Sequence, residues 1–287
     1  LYEEFTIPVV FHVVVSEEEV LTYGNLSAAR IAETMERLNN IFSGKATRNA
    51  AGVNTGIQFV LAQYNPAGEL MDEPGINRVT VEEVTEGTPP DKYHRFLSQN
   101  NAIWPHEKYL NIWLMSETKY PKFWNSITKL CVPKYRLGSE TLPGLSLPPV
   151  PSTWVPKVEQ IGILFRMSTF QYFQRSIDAT AERELVTCIG NYLGLLDTWK
   201  INNSNVNDQC NDTFAYGIVN NNGSLGTNSS WSKEVGSYRF LSENIMDDPT
   251  GTHRSVSKDQ ALRMYWVLKN CAGRSMWQSD FALTGKE

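Results

Sequence analysis

The chain has 287 residues, of which 41% are hydrophobic and 20% are charged, and its formal net charge is −5 at pH 7. This is an ordinary globular composition, with enough material for one large domain or two smaller ones. A mildly acidic chain without clusters of lysine and arginine lacks the basic surface that binds nucleic-acid backbones. No apolar run approaches the ~18–20 residues of a membrane-spanning helix. We therefore expect neither a nucleic-acid partner nor a membrane span.

Predicted strands and helices alternate along the first part of the chain. Residues 5–15 are rich in β-branched and aromatic side chains, which predicts a strand buried on both faces with His12 as a core residue. A helix is predicted from about Asn25 to Ile41, capped by Asn25 or Ser27. Strands that alternate with helices indicate an α/β layered fold. Further strands are predicted at residues 56–62, 109–115 and 161–165, and a short helix is predicted at residues 90–99.

The strongest helical pattern runs from Ile177 to Leu196. Ala181, Leu185 and Ile189 share one apolar face that must pack against a core, and Gly194 is placed to end the helix. The segment that follows, residues 202–232, is dense in Asn, Gly and Ser and is predicted to be an irregular loop. A last helix is predicted at residues 258–270.

The residues from Thr187 to Asp197 have the spacing of the long zinc-protease signature H-E-x-x-H-x-x-G-x-x-H. In that signature two histidines on one helical face bind zinc, and the glutamate acts as general base toward the metal-bound water. The glycine turns the chain so that a third histidine completes the ligand set, and a methionine-containing turn forms the floor. Here Gly194 holds the glycine position. The histidine positions hold Thr187, Asn191 and Asp197, and the glutamate position holds Cys188.

Residues 191–199, N-Y-L-G-L-L-D-T-W, resemble the second half of this signature as it occurs in the pappalysin-type (cytophagalysin) family of metzincin zinc metalloproteases. The family's usual text is close to H-E-x-G-H-Y-L-G-L-x-H-T-F. Asn244-Ile-Met-Asp247 resembles the family's Met-turn, with Met246 as its methionine. Other segments resemble the family's opening strand, first helix, central strand and the helix after the Met-turn, in the same order: residues 7–14, 38–42, 109–113 and 260–264.

The resemblance implies a metzincin-like zincin fold of the α/β (α+β) class. Such a fold has a twisted mixed sheet, two long helices and a smaller, irregular C-terminal subdomain. The expected division is an upper subdomain at residues 1–194 and a lower one at 195–287. The resemblance also implies an extracellular or cell-surface location.

The chemistry of the family is what the sequence lacks. Threonine and asparagine are poor zinc ligands, and a single carboxylate cannot replace three imidazoles. The family's tyrosine after the turn methionine is replaced by Asp248. We therefore expect no catalytic residue and no zinc ligand, and we describe these residues as vestigial cleft positions: Thr187, Cys188, Asn191, Asp197, Met246 and Asp248.

Three functions remain open at this point. The first is a catalytically inactive metalloprotease homologue that holds an extended peptide or another partner in its cleft, as clefts of this kind do by pairing with a sheet edge. The second is an enzyme of altered chemistry that uses Cys188 or a metal other than zinc. The third is a carbohydrate-binding surface protein, which rests on the eight Trp and twelve Tyr of the chain.

No cofactor is expected, with calcium as the one alternative considered. Oxygen atoms of Asn191, Asp197, Asp247 and Asp248 are suitable in type, but calcium takes about six to eight oxygen ligands. The four cysteines are widely spaced and their pairing stays open: Cys131, Cys188, Cys210 and Cys271.

Overall fold

The structure is a computed structural model of the full chain. It describes residues 3–20, 26–48, 50–81, 97, 101–115, 130–131, 161–166, 180–201, 206–218, 232–235, 238–249, 251–270 and 272–286. Apart from Leu97, the predicted short helix at 90–99 lies outside the described residues.

The described residues contain helices, strands and short 3-10 turns. The helices are α1 (Ala28–Phe42), α2 (Thr180–Tyr192), α3 (Lys258–Asn270) and α4 (Phe281–Thr284). The strands are β1 (Phe5–Ser16), β2 (Ile57–Leu61), β3 (Ile76–Val81), β4 (Leu110–Met115), β5 (Leu130–Cys131), β6 (Ile163–Arg166), β7 (Trp199–Ile201), β8 (Tyr216–Ile218), β9 (Ser232–Val235) and β10 (Tyr238–Leu241). The 3-10 turns are Glu17–Glu19, Ala272–Arg274 and Met276–Gln278.

The main sheet is mixed and has the order β2-β1-β4-β6-β5, with β3 also paired to β1. Strand β1 is central because β2 and β3 pair with successive parts of it while β4 pairs with its other side. These pairings and that of β4 with β6 are parallel, whereas β5 is antiparallel to β6. A strand covered on both faces must be apolar throughout, and β1 is buried at all but one of its positions. The predicted fold class is confirmed.

Helices α1 and α2 and the C-terminal part of the chain share one hydrophobic core with the sheet. Ser27 caps α1 by accepting a hydrogen bond from the Arg30 N–H at 3.2 Å, so the helix begins after Ser27 rather than at Asn25. Ile189, Met246 and Met264 all belong to this core. The core thus draws on both predicted subdomains, and their boundary at residue 194 stays a prediction.

Two expectations about the second half have different outcomes. Helix α3 has the predicted bounds of 258–270. The segment at 202–232 was expected to be irregular throughout, which is wrong for Tyr216–Ile218, since β8 pairs in parallel with β7. A strand this short shows no periodicity, and its pairing depends on a partner elsewhere in the chain.

Within the described part of the chain, none of the helices has the length and apolarity to cross a bilayer.

His12 is a fully buried residue of β1 whose two ring nitrogens are both hydrogen-bonded. The Asn77 amide nitrogen lies 2.9 Å from Nδ1 and can only donate, so Nε2 carries the ring hydrogen and donates to Asn111 Oδ1 at 2.8 Å. Burial lowers the pKa of His12 to about 4. The predicted core role of His12 is confirmed.

This neutral histidine should make the fold sensitive to acid. Between pH about 6.5 and 4 the unfolded chain binds a proton at His12 that the folded chain does not, so the free energy of unfolding falls as the pH falls. Between pH 7 and pH 4, the free energy of unfolding should fall by about 3 kcal/mol more in the wild type than in His12→Gln. Urea titrations of both proteins at the two pH values measure it. Equal acid sensitivity would contradict a neutral His12.

Candidate functional site

Helix α2 carries the first two histidine positions of the zinc signature, Thr187 and Asn191, and ends in a Schellman motif. The Leu195 N–H donates to the Gly190 carbonyl at 2.9 Å, and the Gly194 N–H donates to the Asn191 carbonyl at 3.0 Å. Gly194 has φ +91°, a backbone conformation that suits glycine. Arg263 of α3 donates through Nε to the Gly194 carbonyl at 2.6 Å. The chain therefore turns sharply at Gly194, as the signature requires.

This turn brings Asp197 to the side chain of Asn191, which lies one turn of α2 after Thr187. The Asn191 amide donates to the Thr187 carbonyl at 3.0 Å and lies 3.4 Å from Asp197 Oδ1. Thr187 and Asn191 are buried, and Asp197 is half-buried. The predicted positions thus form one cluster, joined by contacts to one another.

The Thr187 hydroxyl is engaged by the segment around the Met-turn. It donates to the Ile245 carbonyl at 2.8 Å and lies 3.0 Å from Nδ1 of His253. The other ring nitrogen of His253, Nε2, donates to the Asp248 carbonyl at 2.9 Å, because a carbonyl can only accept. His253 has φ +52° and is buried. Sequence reasoning gave it no role, since its partner Thr187 lies 66 residues away.

Met246 lies directly against α2. A Cβ on Gly190 would lie 2.6 Å from the Met246 sulfur, so the helix can approach this closely only with glycine at that position. The Met246 N–H donates to Asn244 Oδ1 at 2.9 Å. The Asn244 and Gln260 side-chain amides donate to each other at 2.8 and 2.9 Å, which ties the turn to α3.

The carboxylate of Asp248 is fully buried and paired with Tyr216 of β8. The Tyr216 hydroxyl donates to Asp248 Oδ2 at 2.7 Å and accepts from the Asp248 N–H at 3.1 Å. Burial, together with the charges of Asp247 and Asp248, raises the pKa of Tyr216, so the phenol stays protonated. Sequence reasoning missed Tyr216 because it lies in the segment predicted to be irregular.

Removing this phenol should be costly. Tyr216→Phe removes the hydrogen bond of the phenol to the buried Asp248 carboxylate, and we expect a loss of about 2–3 kcal/mol in the free energy of unfolding. Tyr109→Phe is the matched control, because the Tyr109 hydroxyl donates to a neutral carbonyl, that of Tyr64, at 2.8 Å; its loss should be about 1 kcal/mol. Chemical denaturation of both variants measures the difference. Equal losses would contradict a charged Asp248 as the partner.

Cys188 and Cys210 do not have the environment of a nucleophile. Cys188 is fully buried in the main core, and neither Cys188 nor Cys210 is in a disulfide. Burial, followed by the nearby carboxylates of Asp208, Asp212 and Asp259, raises the pKa of the Cys210 thiol to about 12. Thiolates, which are the reactive form, need the opposite shift.

The carboxylates considered for calcium accept hydrogen bonds from the protein. Asp247 accepts from the Thr198 hydroxyl at 3.0 Å and from the Asn244 N–H at 3.1 Å. Asp248 is paired with Tyr216, as described above. Across the described ranges, no three His, Cys, Asp or Glu side chains are grouped so that they could hold a metal ion.

Zinc does not fit the donor set at the signature positions. Zinc in proteins is bound by cysteine sulfur, histidine nitrogen or carboxylate oxygen. Of the three side chains, only Asp197 offers such an atom, and Thr187 and Asn191 are engaged in the hydrogen bonds given above.

No protein-family model and no curated protein matches the chain. Solved structures do. Mirolysin in complex with a small compound is 18% identical, with a TM-score of 0.66 over 99% of this chain and 100% of that one. Mature mirolysin from Tannerella forsythia, in complex with a cleaved peptide, is 20% identical, with a TM-score of 0.65 over all of both chains. A promirolysin mutant from the same organism is 20% identical, with a TM-score of 0.64 over 98% of this chain and 85% of that one. This chain therefore has the metalloprotease fold of mirolysin.

Proposed function

We propose that this chain is a catalytically inactive metalloprotease homologue that binds an extended peptide or another protein partner along its cleft. The observation that carries the proposal is the hydrogen-bonded cluster of Thr187, Asn191 and Asp197 at the positions of the zinc ligands. The Asn191 side chain binds the Thr187 main chain and lies beside Asp197, and the Thr187 hydroxyl binds the Ile245 main chain and lies beside His253. The resemblance to a family of exported proteases supports a location outside the cell.

The position of the general base supports the same conclusion. Cys188 occupies it, and its side chain is fully buried in the core. A group in that environment cannot contact a substrate or activate a water molecule in the cleft. An enzyme that uses Cys188 as its nucleophile is disfavoured for the same reason.

The sheet offers a place for an extended partner. Strand β5 lies at the end of the described strand order, antiparallel to β6, and it packs near α2. An edge strand presents unpaired main-chain groups to which an extended peptide adds as a further strand, and this binding needs no metal. One of the similar mirolysin structures was determined with a cleaved peptide, which is consistent with peptide binding by this fold.

Selection of peptides from a random displayed library on the immobilised chain tests the proposal. Amide hydrogen exchange of the chain with and without a selected synthetic peptide then locates the site. We expect added protection at Leu130, Cys131 and in α2, and no cleavage of the peptide. Cleavage at a zinc-dependent rate, or protection confined to parts of the chain far from β5 and α2, would contradict it.

A further inference from the structure

A cavity of about 170 Å³ lies beside the Met-turn, on the part of the fold formed by the second half of the chain. Its lining is mixed. Asp212, Asp247, Ser242 and Ser255 contribute polar groups, and Phe214 and Leu241 contribute apolar side chains. Thr187, Asn191 and Asp197 do not line it, whereas Thr198 and Asp247, which are adjacent in sequence to cleft positions, do.

The carboxylate of Asp212 is already partly compensated by the protein. Oδ1 accepts from the Ser257 hydroxyl at 2.6 Å, and Oδ2 accepts from the Asp259 N–H at 2.9 Å. A carboxylate has about four lone-pair positions, so Asp212 can accept further hydrogen bonds. Asp247 likewise accepts from two protein donors. Both groups therefore present acceptors whose charge is partly satisfied without a bound cation.

Ser255 supplies the second observation. It is only 4% exposed, it lines the cavity, and its hydroxyl makes no hydrogen bond to any residue that the structure describes. Its main-chain groups are used, since its carbonyl accepts from Ile245 and its N–H donates to Glu243. The hydroxyl is not among the fully buried polar atoms that lack a partner, so it is reached from the cavity. A ligand in the cavity that both donates and accepts would satisfy it.

Two of the side chains that line the cavity are apolar and open to solvent. Phe214 is 55% exposed and Leu241 is 64% exposed. Phe240 packs against Phe214 with ring centroids 4.5 Å apart, which holds the Phe214 ring in place. Large exposed apolar side chains in the lining of a cavity that also has polar groups indicate a ligand with one apolar face and several polar groups.

We propose that this cavity binds a single sugar residue. Its hydroxyl groups would donate to Asp212 and Asp247 and exchange hydrogen bonds with Ser255, while its C–H face lies against Phe214 and Leu241. The volume equals that of about six water molecules at ~30 Å³ each, which suits one ring rather than a chain of rings. A neutral ligand fits better than a cation, because the carboxylates already accept hydrogen bonds and no metal-binding group of three ionisable residues lies within the described ranges.

Saturation-transfer NMR and calorimetry of the full chain with single monosaccharides test this site. The probes are glucose, galactose, mannose, fucose, N-acetylglucosamine and N-acetylgalactosamine, each at about 20 mM, which detects a millimolar dissociation constant. We expect at least one to bind. Ser255→Ala should weaken that sugar about fivefold, the effect of one lost hydrogen bond. Near-ultraviolet circular dichroism checks that each variant is folded.

Leu241→Ala and Leu70→Ala form a matched pair, since their side chains are 64% and 67% exposed and only Leu241 lines the cavity. Leu241→Ala should weaken binding several-fold, while Leu70→Ala should leave it unchanged. Failure of every sugar to bind, equal effects of the two leucine variants, or a response to calcium alone would overturn the proposal. Peptide binding in the cleft is independent of each of these outcomes.

Discussion

Replacing Thr187, Asn191 and Asp197 together by histidine, with His253→Gly, is expected to convert this chain into a zinc-binding protein. Substitution of residues that only contact the zinc ligands lowers metal affinity ~10–100-fold. This variant supplies the ligands themselves, so its zinc affinity should exceed that of the wild type by more than ~100-fold. The geometry is already present. Positions 187 and 191 lie four residues apart on one face of α2, and the Asn191 side chain contacts Asp197, so three imidazoles at these positions would converge.

Two details of the structure determine this design. His253 Nδ1 lies 3.0 Å from the Thr187 hydroxyl, so a histidine at 187 needs that space. Glycine at 253 also suits the local φ of +52°. Cys188 is retained, because a glutamate there would place a carboxylate in the core, where an unpaired charge is strongly unfavourable.

Zinc titration by calorimetry measures the result, with the same variant carrying Asn191 in place of its new histidine as the control. The control keeps two histidines and should bind zinc far more weakly, since protein zinc sites need at least three protein ligands. A four-substitution variant that folds but binds zinc no better than the wild type would contradict the placement of α2 and the turn at Gly194.

Gly194→Ala is expected to lower the free energy of unfolding by about 3 kcal/mol or more. The residue has φ +91°, which costs a residue with a Cβ about 1–2 kcal/mol. The added Cβ would also lie 2.5 Å from Val267 Cγ2 of α3, and crowding of this kind costs about 1–3 kcal/mol. Urea denaturation measures the sum.

Gly68→Ala separates the two causes. Gly68 has φ +78°, but a Cβ there would meet no atom closer than 3.5 Å. Its loss should therefore be limited to the backbone contribution of about 1–2 kcal/mol. If Gly194→Ala cost no more than Gly68→Ala, the close packing of α3 against the turn at Gly194 would be wrong.

Local sequence patterns were sufficient for the elements that are long or strongly capped. Helix α3 has its predicted bounds, and β1 is buried on both faces as its continuous apolar run predicts. The turn at Gly194 also follows from sequence, because a glycine after an apolar helical stripe is the usual end of a helix. These features depend on residues near each other in the chain.

The contacts that define the site depend on distant residues and could not be predicted. Thr187 meets His253 across 66 residues, and Tyr216 meets Asp248 across 32. Sequence alone identified Thr187 and Asp248 as replacements of family residues but gave no partner for either. A side chain at such a position can have many different neighbours, and which one it contacts is decided by the packing of the whole fold.

The metal content of the wild-type chain, purified without chelator, tests most directly the proposal that the chain has no zinc site. Elemental analysis should find far less than one zinc per chain, and a peptidase assay with added zinc should find no activity. One zinc per chain, lost in both Asn191→Ala and Asp197→Ala, would contradict the conclusion that these side chains now serve as hydrogen-bonding partners rather than as ligands.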